Sequence, residues 1–278
     1  MLPLCYESAP SYGEGSGAGP MHLLYASSQM EHLDEETGRV WPEDGIHTIL
    51  PPALPSEPEA AVEAMEKAAA AALATGAGLL ALGGDHAVTT GCVAAAAKLH
   101  PGLGVLQVDA HTDLRDEWNG SRYNHACTMR RIADDMGLPF VQVGIRSVSV
   151  EEGLLIRERG YEPFYAHAIA GADPEWMDRA IARLPEKVYL TLDLDGLDPS
   201  EVPGTGTPEP GGLRYREVVE LIRRLGAARE VVAADVNELA VFAGSQVSEY
   251  IAARLGQKIC HLALARRKGD AVQGSRPH

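Results

Sequence analysis

The sequence predicts an α/β fold: a single-domain, three-layer sandwich with a central parallel sheet. Three observations carry that expectation. Short apolar runs alternate with amphipathic stretches along most of the chain, the pattern of strands joined by helical crossovers. The apolar runs are continuous rather than alternating, which suits strands covered on both faces. The 278 residues fit one large domain, and no Ser/Gly-rich or charge-rich linker divides them, so one domain over 1–278 is expected.

Residues 1–50 are rich in turn formers, as in "SYGEGSGAGP" at 11–20 and the polar "EHLDEETGRVWPEDG" at 31–45, and read as a mostly surface lead-in. At Ser56 the pattern changes. "SEPEAAVEAMEKAAAAALATG" has a candidate N-cap in Ser56, acids in its first turn and a stop at Gly76, which predicts a helix. The candidate strands follow: "GLLALGG" (78–84), "LGVLQVDAH" (103–111), "FVQVGIRS" (140–147), "KVYLTLDLD" (187–195), "EVVAADVNE" (230–238) and "KICHLALA" (258–265). Helices are expected near 87–99, 149–159, 174–184, 214–225 and 246–256. The polar tail from about residue 266, "RRKGDAVQGSRPH", reads as frayed, and no internal repeat is visible.

Composition narrows the function classes. Asp and Glu outnumber Lys and Arg by 39 to 24, a net charge of −15 that argues against a nucleic-acid partner. Solubility explains most of it, and attraction of cations is a weaker reading. Cys5, Cys92, Cys127 and Cys260 show no CxxC spacing, so neither a zinc knuckle nor a disulfide framework is suggested. With no signal-like opening and no apolar run of membrane-spanning length, the expectation is a cytoplasmic protein without a membrane partner.

Unusual polar residues gather where the predicted strands end. "GLLALGG" runs into Asp85 and His86, the next strand into Asp109, His111 and Asp113, and "KVYLTLDLD" into Asp193 and Asp195. Sites on open parallel sheets lie at these carboxyl ends. In extended backbone, residues i and i+2 share a face, so Asp109 with His111 and Asp193 with Asp195 point into one space. Any one of them alone is more ordinary: an Asp after a strand usually caps a helix, and a lone His usually satisfies a local hydrogen bond. Three strand ends with the same chemistry favour a metal cage. Mixed carboxylate and imidazole donors without thiolate suit Mn²⁺ or a similar divalent ion. Six candidates, His86, Asp109, His111, Asp113, Asp193 and Asp195, are too many for one ion with an open position. Four clustered acids also need roughly four positive charges to stay ionised, which two divalent ions supply.

"GGDHAVTTG" (83–91), "DAHTD" (109–113), "LTLDLDGLDPSEVPGTGTPEPGG" (190–212) and "DVNEL" (235–239) together resemble the ureohydrolases, the arginase and agmatinase family. The blocks occur in family order, and the resemblance runs from about Leu4 to Leu255. It implies the arginase-like fold and two Mn²⁺ ions, with Ni²⁺, Co²⁺ or Fe²⁺ as possible occupants of the same ligands. One ion would be held by His86, Asp109, Asp113 and Asp193 and the other by His111, Asp109, Asp193 and Asp195, Asp109 and Asp193 bridging. It further implies hydrolysis of a guanidinium by a metal-bridging hydroxide, the ions being about 3.5–4 Å apart. Asp113 would return a proton to the departing amine, Glu238 would hold the guanidinium, and His125 in "RYNHACTMRR" would shuttle protons or touch substrate. Taken alone, Glu238 is a strand-end acid and His125 could cap a following helix. "PGTGTPEPGG" (203–212), Asp198 and Pro199 read as scaffold and turn.

The segment after Asp113, "LRDEWNGSRYNHACTMRR", lacks the Asn and Ser pattern of arginases, and with "GIRS" (144–147) it resembles the agmatinase branch. Agmatine leads as substrate, with urea and putrescine as products. After Glu238 the chain departs from the common pattern and reads "LAVFAGSQVSEY" (239–250), which leaves the wall facing the substrate tail open. N1-aminopropylagmatine, a guanidinobutyrate pairing with Arg115 or Arg122, and another amidine are alternatives, as is a non-catalytic metal-binding relative. The resemblance also implies a homo-oligomer, trimer or hexamer.

Overall fold

A computed structural model describes residues 1–40, 45–241 and 244–264. The strands are β1 (Leu2–Leu4), β2 (Leu79–Gly83), β3 (Gly104–Val108), β4 (Phe140–Ile145), β5 (Phe164–Tyr165), β6 (Lys187–Asp193) and β7 (Glu230–Asn237). The helices are α1 (Gly19–Ser27), α2 (Pro58–Leu73), α3 (Val88–Leu99), α4 (Thr128–Asp134), α5 (Val150–Arg159), α6 (Ala166–Ile169), α7 (Glu175–Ala182), α8 (Tyr215–Ala228) and α9 (Val247–Ile259). All seven strands are parallel and lie in the order β1-β2-β7-β6-β3-β4-β5. The predicted α/β sandwich with a central parallel sheet is therefore present.

Two apolar cores fill the space between the layers. On one face Leu79, Ala81, Val105 and Tyr189 pack with α2, α3, Met129, Ile132 and Ile156. On the other Leu80, Leu82, Leu106, Val108, Leu190 and Leu192 pack with residues of α1, α7, α8 and α9. Successive strand residues belong to opposite cores because strand side chains alternate. Val231 and Val232 also fall in different cores, but Val232 and Ala233 share one. The break coincides with a register shift, where Val188 pairs with Val231 and Tyr189 with Ala233, so Val232 is the extra residue of a bulge.

Three expectations need correction. Residues 1–50 are not merely a lead-in: Leu2–Leu4 form a buried edge strand beside β2, and Gly19–Ser27 form α1. A three-residue strand is too short for any periodicity to reveal. The stretch 258–264 is not a strand: α9 runs to Ile259 and continues as a π-helical turn over Cys260–Leu264, Ala265 lying outside the described residues. Short apolar runs do not distinguish strand from buried helix, and here β1 already occupies the sheet position beside β2. The cap of α2 is Glu57, whose carboxylate accepts from Ala60 N at 2.8 Å, rather than Ser56. Finally, β5 and the short α6 had no sequence signal. The tail from residue 266 lies outside the described residues.

Candidate metal centre

The carboxyl ends of β2, β7, β6 and β3, four adjacent strands in the middle of the sheet, converge on one place. β2 is followed by Gly84, Asp85 and His86. A Cβ on Gly84 would stand 1.9 Å from Tyr6 O, so only glycine lets the N-terminal segment lie against this strand end. That segment is held there by Asp85 N donating to Tyr6 O and Ser8 N donating to Asp85 Oδ2. At the end of β3 and β6 the backbones are also close: a Cβ on Gly196 would lie 2.8 Å from Asp109 N.

His86, Asp109, Asp113, Asp193 and Asp195 are buried, and His111 is partly exposed. His86 Nδ1 lies 3.1 Å from Asp109 Oδ2, 2.8 Å from Asp113 Oδ2 and 3.4 Å from Asp193 Oδ2. His111 Nδ1 lies 3.0 Å from Asp195 Oδ2 and 3.6 Å from Asp109 Oδ1. Two groups with metal-ligand geometry result, His86–Asp109–Asp113 and Asp109–His111–Asp195, with Asp109 common to both. Its two oxygens face different histidines. Asp193 Oδ1 accepts from Asp195 N at 2.8 Å, which turns its other oxygen toward His86. All six residues anticipated from the strand ends thus occupy one volume.

The surroundings fix the donor atoms. His86 Nε2 is 2.8 Å from Thr191 Oγ1; Thr89 gives its one hydroxyl hydrogen to Asp235 Oδ2, so in its 3.2 Å contact with Thr89 the Thr191 hydroxyl is the donor. Thr191 must then accept from His86 Nε2–H, leaving the Nδ1 lone pair facing three carboxylates. His86 Nδ1 is a buried nitrogen without a hydrogen-bond partner. A nitrogen lone pair among carboxylates needs a proton or a metal ion between them, and the donor set fits a divalent metal ion. Gln107 Nε2 donates to Asp109 Oδ2 at 2.6 Å, and Gln142 Nε2 supports Gln107 Oε1 at 2.6 Å from the paired position on β4.

Electrostatics describe the same imbalance. Burial would make His111 less basic, but Asp195 and Asp109 outweigh it and push the imidazole up to about 12. His86 likewise rises well above its ordinary value, burial being overcome by Asp109 and Asp113. Burial, then the Asp109 charge, pushes Asp113 up to about 7. Burial followed by Asp195 and Asp109 raises Asp193 strongly. By themselves these acids cannot all be ionised together, and metal cations would remove that penalty.

Glu238 sits at the rim beyond β7. Its Oε1 accepts from His86 N at 2.7 Å, and its own N–H donates to Gly84 O at 2.8 Å. Both Glu238 (φ 64°) and Asp113 (φ 51°) hold left-handed backbone conformations. For a non-glycine residue this costs roughly 1–2 kcal/mol. Burial, then Asp85, raises the Glu238 carboxyl well above the ordinary range. His125 begins a short 3₁₀ turn capped by Asn124, whose Oδ1 accepts from Ala126 N, and α4 follows it. Its Nε2 lies 3.0 Å from Ser11 Oγ, and burial, then the His86 and His111 charges, lowers its pKa to about 4. Arg146, from "GIRS", donates to the Asp195, Leu197 and Glu209 carbonyls and ties the 196–212 loop to the end of β4, which agrees with the scaffold reading.

Sequence reasoning missed Ser8 and Ser11, which come from the supposed lead-in. It also missed Gln107, Gln142 and Thr191, although each interrupts an otherwise apolar strand. Such interruptions are a legible signal, because a buried polar side chain needs a partner.

The family model described as "Arginase family" matches residues 1–262. The N(1)-aminopropylagmatine ureohydrolase of Synechocystis sp. is 42% identical over 267 residues, covering 93% of this chain and 87% of that protein. An agmatinase of Pyrococcus horikoshii is 33% identical over 249 residues, 86% of this chain and 82% of its own. The crystal structure of agmatine ureohydrolase of Thermoplasma volcanium superposes with a TM-score of 0.84 at 28% identity, covering 93% of this chain and 87% of that one.

Proposed function

The chain belongs to the arginase family and is a hydrolase of guanidino compounds, and from that premise we propose that it is a binuclear metal-dependent ureohydrolase of an amine-tailed substrate. The observation that carries this reading is the pair of ligand groups sharing Asp109, with Glu238 bonded to the backbone of His86 beside them. In the proposal one ion is held by His86, Asp109, Asp113 and Asp193, and the other by His111, Asp109, Asp193 and Asp195. Mn²⁺ is the proposed metal by donor type. Two such cations would supply Lewis acidity and lower the pKa of a water to near neutrality.

The chain's own groups do the rest. Glu238 holds the cationic guanidinium by charge-assisted hydrogen bonds and orients its central carbon. Asp113 takes a proton from the attacking water and returns it to the leaving nitrogen. The carbon–nitrogen bond to the alkyl chain breaks, giving urea and a free amine. His125, its Nε2 beside Ser11, moves protons at the pocket mouth or touches substrate there.

Substrate choice rests on two observations. Curated relatives at 42% and 40% identity bear the name N(1)-aminopropylagmatine ureohydrolase, whereas the agmatinases stand at 33% and 32%. The cations considered for a carboxylate tail are engaged elsewhere. Arg122 Nη2 lies 3.4 Å from Asp135 and 3.7 Å from Asp116, and Arg115 stacks 4.1 Å above the Trp118 ring. Agmatine carrying an N1-aminopropyl group is therefore proposed as the preferred substrate, with agmatine itself second. No described helix is long and apolar enough to cross a membrane. A single domain, a cytoplasmic location and a homo-oligomer complete the proposal, the last by analogy.

The test is urea release by Mn²⁺-loaded protein from aminopropylagmatine, agmatine, guanidinobutyrate and arginine at equal concentration, beside a metal-stripped control. Metal-dependent turnover that prefers the longer amine is expected. Preference for guanidinobutyrate or arginine would overturn the amine-tail reading, and metal-independent turnover would overturn the binuclear one.

A further inference from the structure

Asp113 adopts its left-handed conformation inside a tight set of hydrogen bonds, two of which lead to one side chain. Glu152, on the first turn of α5, is buried. Its Oε1 accepts from Thr112 Oγ1 at 2.7 Å and from Leu114 N at 3.0 Å, the residues on either side of Asp113. Its Oε2 accepts from Ser149 N at 2.9 Å, closing the capping box in which Ser149 Oγ accepts from Glu152 N. One carboxylate thus joins the start of a helix to both flanks of a proposed ligand. Gln142 Nε2 on Thr112 O and Arg130 N on Asp113 O hold the same three residues from β4 and α4.

Ordinary helix capping accounts for only half of this arrangement. A capping-box glutamate needs the Ser149 contact and gains nothing, as a cap, from Thr112 and Leu114. Two donors separated by one residue can meet a single oxygen only if the backbone folds sharply between them. Asp113, at φ 51°, is that residue. The bend directs its carboxylate toward His86 Nδ1, 2.8 Å away. Burial would raise the Glu152 carboxyl, yet the bonds from Ser149, Thr112 and Leu114 hold it below its ordinary value.

We propose that Glu152 is a positioning residue, a clamp on Thr112 and Leu114 that holds Asp113 in ligand geometry and sets the affinity of the His86–Asp109–Asp113 metal position. This rests on the binuclear reading above. The clamp acts chiefly on the metal position that Asp113 serves, because Asp113 lies between both of its contacts, whereas His111 of the other position adjoins Thr112 alone.

Three variants of the full chain separate the clamp from the cap: Glu152→Ala removes both, Ser149→Ala removes the serine half of the cap only, and Glu152→Gln keeps one carbonyl oxygen for Thr112 and Leu114. Mn²⁺ binding to metal-stripped protein, by calorimetry and by the paramagnetic resonance signal of coupled Mn²⁺ pairs, gives stoichiometry and two affinities without reference to turnover. Removing a residue that orients a ligand typically weakens metal binding by about 10–100-fold. That loss is expected at one of the two positions in E152A, with E152Q and S149A within about threefold of the parent. Circular dichroism and melting of the metal-free proteins check folding, and E152Q provides the reading if E152A does not fold: both positions are expected to be retained, and loss of one position in E152Q together with S149A overturns the clamp. Two parental affinities in E152A also overturn it. A parent protein that binds fewer than two ions overturns the ligand assignment itself, an outcome distinct from the failure of the clamp.

Discussion

The molecule buries charge in two places and balances it in opposite ways. At the carboxyl ends of the central strands, four aspartates and two histidines face one another, and among the described residues no lysine or arginine is ion-paired with them. Under α9, the buried Lys258 Nζ meets Asp34 Oδ2 at 2.5 Å, with Glu36 at 3.5 Å. Asp34 is saturated further by Glu36 N, Thr37 N and the Thr37 hydroxyl. The second region carries its own counter-charge and hydrogen bonds, as a structural pair does. The first is incomplete in charge as the chain alone builds it, which is what a cation-binding site requires. Burial of charge is common to both, and internal neutralisation separates structure from function.

The largest expected effect follows from breaking the first region at its shared ligand. Asp109→Asn removes charge from both ligand groups at once. Bound Mn²⁺ should fall from two ions to one or none, and urea release should fall by more than about 100-fold, beyond what loss of a mere supporting residue causes. The metal-free protein should keep its circular dichroism spectrum. Two tightly retained ions in this variant would remove Asp109 from the bridge.

The second region should respond in the opposite currency. Lys258→Ala leaves Asp34 buried beside two other acids without its ammonium partner, and breaking a buried pair from one side destabilises by about 3–5 kcal/mol. Chemical denaturation should register that loss while the protein that remains folded binds metal normally. Weakened metal binding would show that the two regions are coupled.

Acid should attack the same pair. Burial would raise Asp34, but Lys258 and Thr37 lower it from 3.8 to about 2. A depressed folded-state pKa contributes stability above the unfolded value, and that contribution disappears as pH falls from 3.8 through about 2. By this linkage Lys258 and the Thr37 bonds together contribute stability at neutral pH that acid removes. Denaturation midpoints followed from pH 5 downward should therefore show a larger loss in the parent than in Lys258→Ala, which keeps only the Thr37 bonds. Parallel curves for the two proteins would break the assignment.

How far the two regions were legible in the sequence also differs. The metal candidates were readable because they obey local rules: His86, Asp109, His111, Asp113, Asp193 and Asp195 all follow apolar strands, and strand periodicity alone puts alternate residues on one face. The core strands β2, β3, β4, β6 and β7 were readable for the same reason. The Lys258–Asp34 pair joins residues 224 positions apart, and no local pattern announces it. Its lysine also opens the stretch 258–264, whose apolar residues fit a strand as well as the helix they form. Ser8 and Ser11 escaped notice because β1 is three residues long and places them by tertiary pairing alone. Glu152 was visible as a helix-start acid, but its second role depends on a loop about 40 residues earlier.

The smallest effect is expected at the rim of the first region, where a neutral contact replaces charge. Ser11 Oγ and His125 Nε2 are 3.0 Å apart, and Ser11 is exposed. The histidine's pKa is lowered to about 4, first by burial and then by the positive charges of His86 and His111, so at neutral pH it meets the hydroxyl as an uncharged ring. A hydrogen bond between neutral groups contributes about 0.5–1.5 kcal/mol. Ser11→Ala should thus lower kcat by roughly 2–12-fold, with metal content and melting temperature unchanged. Such a result would make residues 6–17 part of the working site and would explain why the sheet recruits so short a strand from the N-terminus. An unchanged kcat would mean that His125 is oriented by its Asn124-capped turn alone. A loss above about 100-fold would exceed what one neutral hydrogen bond can supply, and would place Ser11 in contact with the substrate itself.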